Sequence, residues 1–272
     1  MNGTTGPLGN RSRHAAFFCY HSVAADGPEY LSIAPEQFER QLGQLQRSGW
    51  TTGAEAELER LGGGERPDRP VAFLTFDDGY VDNHDVVLPL LQQYGARAIV
   101  FVIPPLVDDG LPLRWPGTEA HCDRFPQVMR SMRWRAVEAL AEAGCTIGSH
   151  TLTHPRLAGV GDEQLRDELL EARQRISARL GSCTTLAYPY GNWDGRVLAA
   201  ARDAGYRWAF TVPRDGQLAT DPLAIPRIAV DHRDDERRFA LKLRPLARRA
   251  ALSPRRATLL RPLFAAQRAV RR

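Results

Sequence analysis

Short apolar runs rich in β-branched and aromatic residues alternate along this chain with amphipathic stretches. The runs at 16–22, 71–76, 98–103, 145–149, 185–188, 208–212 and 225–230 have the length and residue types of buried strands. Between them, apolar positions recur every three or four residues, which predicts helices over 35–48, 83–94, 134–143, 162–180 and 195–204. Gly49, Gly95, Gly144, Gly181 and Gly205 stand where these helices stop, the usual place of a C-terminal cap. Segment 104–133, with its Pro, Gly and Trp residues, reads as a long loop over one face.

Strands that alternate with helices need crossover connections, so the sheet is expected to be parallel. About seven such units in one chain favour a barrel over an open doubly wound sheet. The expectation is a single α/β domain over residues 15–240, after a flexible N-terminus at 1–14 and before a basic, helical tail at 241–272. In a parallel barrel the C-terminal ends of the strands gather on one rim, where active sites are assembled. His21, Asp77, Asp78, His150, Tyr190 and Arg227 all fall at or near such ends. Polar residues scattered over a surface would not repeat that phase.

With 43% hydrophobic and 25% charged residues, a 272-residue chain can bury a large core without staples. No apolar run approaches the roughly 18 residues that cross a bilayer. Arg11 and Arg13 precede the apolar run 15–20 as in a leader peptide, but that run is too short and His21 interrupts it. A cytoplasmic location is therefore expected. Cys19, Cys122, Cys145 and Cys183 are widely spaced, which reads as free thiols in or near a core.

Charge adds one distinction. From Lys242 onward there are ten basic residues and no acidic one, so residues 1–241 hold 26 basic against 32 acidic residues, a net −6. A mildly acidic body argues against nucleic acid as a partner. In the tail, Leu259, Leu260, Leu263 and Phe264 interleave with Arg261, Arg268, Arg271 and Arg272. That pattern suits a cationic helix resting on the inner face of an anionic membrane, and equally a solvated or barrel-packed terminal helix.

Three motifs carry chemistry. In Thr75-Phe76-Asp77-Asp78-Gly79-Tyr80, two adjacent carboxylates end an apolar strand, which is costly unless a cation or proton offsets them. A solvated turn leading out of the strand reads equally well from this segment alone. In His150-Thr151-Leu152-Thr153-His154, two imidazoles four residues apart can chelate one metal, or form a surface pair. With Asp78 they make a three-ligand set that leaves positions for water, the pattern of a catalytic site. In Tyr188-Pro189-Tyr190-Gly191, a rigid turn can aim the Tyr190 N–H at a developing oxyanion, or simply pack against Trp193. His14, His84 and His121 have no partner at ligand spacing, and Trp115, Trp134, Trp193 and Trp208 read first as core residues.

Together these motifs, from about Ala16 to Asp231, resemble the polysaccharide deacetylase family, also called the NodB-homology or carbohydrate esterase 4 group. The resemblance implies a distorted (β/α)7 barrel that binds a divalent ion, commonly zinc, and hydrolyses an acetyl amide or ester. It implies Asp78, His150 and His154 as metal ligands, Asp77 as general base and the Tyr190 N–H as oxyanion donor. The family's usual arginine before the third motif is Ala187 here, and its Asp-x-x-Asp-aromatic and C-terminal Leu-x-His elements are absent. Tyr20-His21 is similar instead to an N-terminal element of a subgroup that includes poly-N-acetylglucosamine deacetylases, where the histidine is the general acid. His232 competes for that role, and His21 is favoured because it directly follows a strand. Arg227 is expected to replace the missing arginine and orient Asp77.

The expected function is metal-dependent removal of N-acetyl groups from N-acetylated sugars or glycans, with zinc, cobalt or nickel all able to accept these ligands. Two alternatives stand beside it. One is hydrolysis of another amide, such as a cyclic ureide or imide, on the same barrel. The other is a degenerate glycan-binding protein, which Ala187 favours and the complete Asp77, Asp78, His150 and His154 set opposes.

Overall fold

The computed structural model describes residues 14–212, 221–245 and 247–248. Its strands in chain order are β1 (Ala15–Tyr20), β2 (Ser22–Val23), β3 (Ser32–Ile33), β4 (Thr51–Thr52), β5 (Val71–Phe76), β6 (Ala98–Val102), β7 (Thr146–Ser149), β8 (Thr185–Ala187), β9 (Trp208–Thr211), β10 (Ile225–Pro226) and β11 (Ile228–Ala229). The helices are α1 (Pro35–Arg47), α2 (Glu55–Gly62), α3 (Leu88–Gln93), α4 (Pro104–Asp109), α5 (Glu119–Arg124), α6 (Trp134–Glu142), α7 (Asp162–Leu180), α8 (Gly195–Asp203) and α9 (Glu236–Leu243).

The main sheet runs β10-β9-β8-β7-β6-β5-β1-β11, with β4 added beside β5 and every pairing parallel. β10 and β11 are pieces of one segment on either side of Arg227; the first pairs with β9 and the second with β1. This segment joins the two ends of the sheet, so the wall is a seven-strand α/β barrel in chain order, distorted where Arg227 interrupts the last strand. The expectation of a parallel barrel is met.

Alternation along the wall sorts the side chains. Ala16, Phe18 and Tyr20 of β1 pack outward against the helices, where Phe38 of α1 and Phe239 of α9 meet them. Phe17, Phe73, Phe101 and Phe210 point inward and fill the barrel; Phe17 and Phe73 stack at 4.7 Å. Each such ring contributes roughly 1.5–3 kcal/mol by leaving water. Beyond this aromatic floor, toward the C-terminal rim, the inward positions turn polar: Cys19, Thr75, Asp77 and Arg227. The four cysteines are free and buried, as expected.

The five predicted helices are present, and the differences have physical causes. Over 83–94 the first turn is a π-helix (Asn83–Val87) before α3, because Pro89 offers no N–H to the preceding turn. Segment 104–133 is not one loop: it contains α4 and α5, six residues each, too short to show a period. α2 and α9 were also missed; each buries only two residues of its eight. Residues 1–13 and 249–272, which hold most of the expected N-terminal arm and tail, lie outside the described residues.

Candidate active site

Asp77 and Asp78 follow β5, His150 and His154 follow β7, Tyr190 follows β8, and His21 follows β1, so all reach the same rim. The structure brings Asp78, His150 and His154 together, with one donor atom of each within 4.8 Å of the others. His150 Nε2 lies 3.3 Å and His154 Nε2 3.4 Å from Asp78 Oδ1, and all three side chains are buried. Asp78 Oδ1 has no well-formed hydrogen bond among the described residues. A buried carboxylate oxygen facing two ring nitrogens is unfavourable unless a proton or cation sits between them. One oxygen and two imidazole nitrogens suit a divalent zinc-like ion with positions left open. The residues present therefore fit a metal.

The chain holds this set by local strain and by buried partners. Four non-glycine residues with positive φ occur among the described residues: Asp78 at 70°, Thr151 at 69°, His154 at 62° and Tyr190 at 59°. Each costs of order 1–3 kcal/mol, and all four belong to this rim. His150 Nδ1 lies 2.8 Å from the Ala187 carbonyl, which orients the ring with Nε2 toward Asp78. The turn at Tyr190 needs Gly191 behind it, where a Cβ would meet the backbone of Val212 at 2.5 Å. Burial pushes the His154 imidazole down to about 3, which keeps it neutral. For Asp78, burial pushes the carboxyl up, but the contact with His150 and the charge of His154 outweigh it and lower the net value.

Asp77 faces the other way. Arg227, in the break between β10 and β11, donates from Nη1 to its Oδ1 at 2.6 Å and from Nη2 to its Oδ2 at 2.7 Å. Arg227 also donates to Thr75 Oγ1 at 2.9 Å, and its guanidinium stands over the rings of Phe101 and Phe210. Burial pushes the Asp77 carboxyl up, but the charge of Arg227, aided by His150, outweighs burial and holds it well below the usual carboxylate range. The Cys19 thiol completes this shell, 3.4 Å from Asp77 Oδ2. His21 joins Asp77 and Cys19 in a second group with donor atoms within 4.8 Å of one another. His232 joins neither group: its Nδ1 lies 2.5 Å from the Glu29 carbonyl, away from Asp77 and Asp78.

The sequence matches the family described as "Polysaccharide deacetylase" over residues 64–209, more than half of the chain. The chain belongs to that family. It is 27% identical over 194 residues to YxkH of Bacillus subtilis, covering 71% of this chain and 62% of that protein. It is 23% identical over 254 residues to the poly-beta-1,6-N-acetyl-D-glucosamine N-deacetylase of Escherichia coli, covering 82% of this chain and 38% of that one. The chain thus spans less than two thirds of the length of each of these relatives. Among solved structures, the fold is similar to the Streptococcus pyogenes deacetylase PplD in complex with acetate, with a TM-score of 0.72 and 22% identity over 85% of this chain and 98% of that one. It is also similar to IcaB of Ammonifex degensii, with a TM-score of 0.69 and 21% identity over 85% of this chain and 97% of that one.

Several residues that shape this site escaped the sequence reading. Asp82 accepts from Ser22 Oγ at 2.7 Å and Val23 N at 2.9 Å, and Asn83 Nδ2 donates to the His21 carbonyl at 2.9 Å. This pair, at the start of the π-turn, fixes the backbone on which His21 sits. Burial pushes the Asp82 carboxyl up to about 6 despite the donors around it. Trp115, read as a core residue, is half-buried and lies 4.2 Å from the His154 ring, forming a wall of the site.

Glu168, on α7, accepts from the backbone N–H groups of Leu152 and Thr153 at 2.8 Å each, and from the Thr153 hydroxyl. One buried carboxylate thus clamps the turn that carries both histidines. Glu168→Ala is expected to weaken the uptake of an added divalent ion by about 10- to 100-fold, as loss of outer-shell partners does. Glu168→Gln, which keeps one acceptor oxygen, should lose less. A chelator-competition titration checks both, and unchanged affinity in the alanine variant would make the clamp irrelevant to the site.

Proposed function

We propose that the chain is a hydrolase that removes N-acetyl groups from N-acetylated sugars or glycans, using one divalent ion, zinc first among them, on Asp78, His150 and His154. The observation that carries this reading is the juxtaposition of two groups on one rim: the ligand set around Asp78, and the Asp77–Arg227 pair with His21 beside it. Bound there, the ion supplies Lewis-acid polarisation of the acetyl carbonyl and a water whose pKa falls toward about 7.

The chain's own residues do the rest. Asp77, kept ionised by Arg227, accepts the proton of the attacking water at a carboxylate oxygen. The Tyr190 N–H, in its left-handed turn beside His154, would donate to the oxyanion. His21 donates a proton to the amide nitrogen as the C–N bond breaks, so the products are acetate and a free amino sugar. Trp115 and Tyr190, both against His154, exclude water from one side of the site.

The test is product analysis with zinc-loaded protein and a fully N-acetylated chitotetraose. Equal amounts of acetate and new primary amine are expected, with cyclic ureides and imides left intact. Ring opening of a ureide without acetate release would replace this reading with the other amide chemistry. Glycan binding without either product would leave a non-catalytic binder.

A further inference from the structure

Arg156 lies two residues beyond His154, and its guanidinium stands 4.1 Å above the Tyr190 ring. The Tyr190 ring in turn meets the His154 ring edge-on at 4.7 Å. One aromatic ring therefore separates this cation from a proposed metal ligand. Stacking uses the face of the guanidinium and leaves its N–H donors around the edge. Among the described residues, no carboxylate or carbonyl engages those donors, whereas nearby Arg196 is tied to Asp162, Asp194 and two carbonyls.

The position is also built rather than loose. Pro155 precedes Arg156, Leu157 after it is buried, and Ala158 N donates to Asn192 Oδ1 at 2.9 Å. Arg196 Nη2 holds the Ala158 and Val160 carbonyls at 3.3 Å each. The turn is anchored on both sides, and Arg156 is the exposed side chain it presents beside the site. A preorganised guanidinium with free in-plane donors recognises a carboxylate or phosphate by charge-assisted, bidentate hydrogen bonds.

We infer that Arg156 selects substrates that carry an anionic substituent, a carboxylate or a phosphate, near the acetylated nitrogen. This inference rests on the deacetylase reading above and names the substrate class for it. The test compares kcat/KM for acetate release from two anionic sugars and their neutral counterparts. N-acetylglucosaminyl-N-acetylmuramic acid supplies the carboxylate against diacetylchitobiose; N-acetylglucosamine 1-phosphate supplies the phosphate against N-acetylglucosamine. The parent should prefer at least one anionic member by about tenfold, mostly through KM.

Arg156→Ala should bring that ratio toward one, Arg156→Lys should keep part of it, and added salt should shrink it in the parent. A ratio near one in the parent, or an alanine variant that slows both members of a pair equally, overturns the inference; in the latter case Arg156 merely props Tyr190. Equilibrium binding of the same sugars to Asp77→Asn, with and without Arg156→Ala, reads the preference without turnover. An Arg156-dependent preference there with no acetate from the parent would sink the deacetylase reading and leave the anion site standing. Equal binding of both sugars overturns the anion site itself.

Discussion

Asp77→Asn is expected to keep its divalent ion and lose acetate release by about 100- to 10,000-fold per folded molecule, whereas Asp78→Asn and His150→Ala should lose the ion as well. The geometry separates the two neighbouring aspartates. Asp78 Oδ1 faces both imidazoles, while both oxygens of Asp77 are engaged by Arg227 and Cys19. The positive φ of Asp78, 70°, turns consecutive carboxylates to different tasks.

The Asp77 change also removes one partner of a buried ion pair and leaves Arg227 uncompensated, which typically costs about 3–5 kcal/mol. Rates must therefore be normalised to folded protein, by thermal unfolding of each variant. The sign with pH follows from the lowered Asp77 carboxyl. Its stabilisation is fully present above the unfolded carboxylate value of about 4 and is lost as pH falls through the lower folded value. Asp77→Asn should thus flatten the acid side of the stability curve. Depletion of metal in Asp77→Asn to the level of Asp78→Asn would mean that the two roles are shared.

His21→Ala should retain fold and metal yet fall by about 100- to 10,000-fold on an N-acetyl substrate, because an unprotonated amide nitrogen is a very poor leaving group near pH 7. His232→Ala should stay within about tenfold of the parent. His21 shares a donor group with Asp77 and sits on backbone held by Asn83, whereas His232 is tied to the Glu29 carbonyl. A structural role for His21 would show as lowered stability with normal turnover per folded molecule. A crippled His232 variant beside a near-normal His21 variant would reverse the assignment. Asn83→Ala offers an intermediate check, since it frees the His21 carbonyl without touching the imidazole; a rate loss smaller than that of His21→Ala is expected.

The barrel and the Asp78, His150, His154 group were legible because each residue follows a short, largely buried strand, and a parallel barrel sends every such end to one rim. The coupling of Arg227 to Asp77 could be anticipated as a role but not as a geometry. It depends on the last strand splitting at Arg227 to pair with β9 on one side and β1 on the other.

Glu168 was invisible for a different reason. On α7 an acidic residue amid Asp, Glu and Arg looks like part of a solvated face, and only the packing of that helix against the turn after β7 reveals its buried carboxylate. Trp115 and Arg156 reach the site from segments whose short helices and turns carry no period. The left-handed backbone of Thr151 has no residue-type signal, because β-branched residues rarely adopt it, and that of His154 has only the weak one that histidine carries.

The most direct measurement of the central claim is acetate release from N-acetylated chitotetraose by protein stripped of metal and titrated back with zinc. Activity is predicted to be absent in stripped protein and to rise to a break near about one ion per chain, while His154→Ala shows no such rise. Full acetate release by the stripped protein, with no gain on adding zinc, cobalt or nickel, would contradict the account.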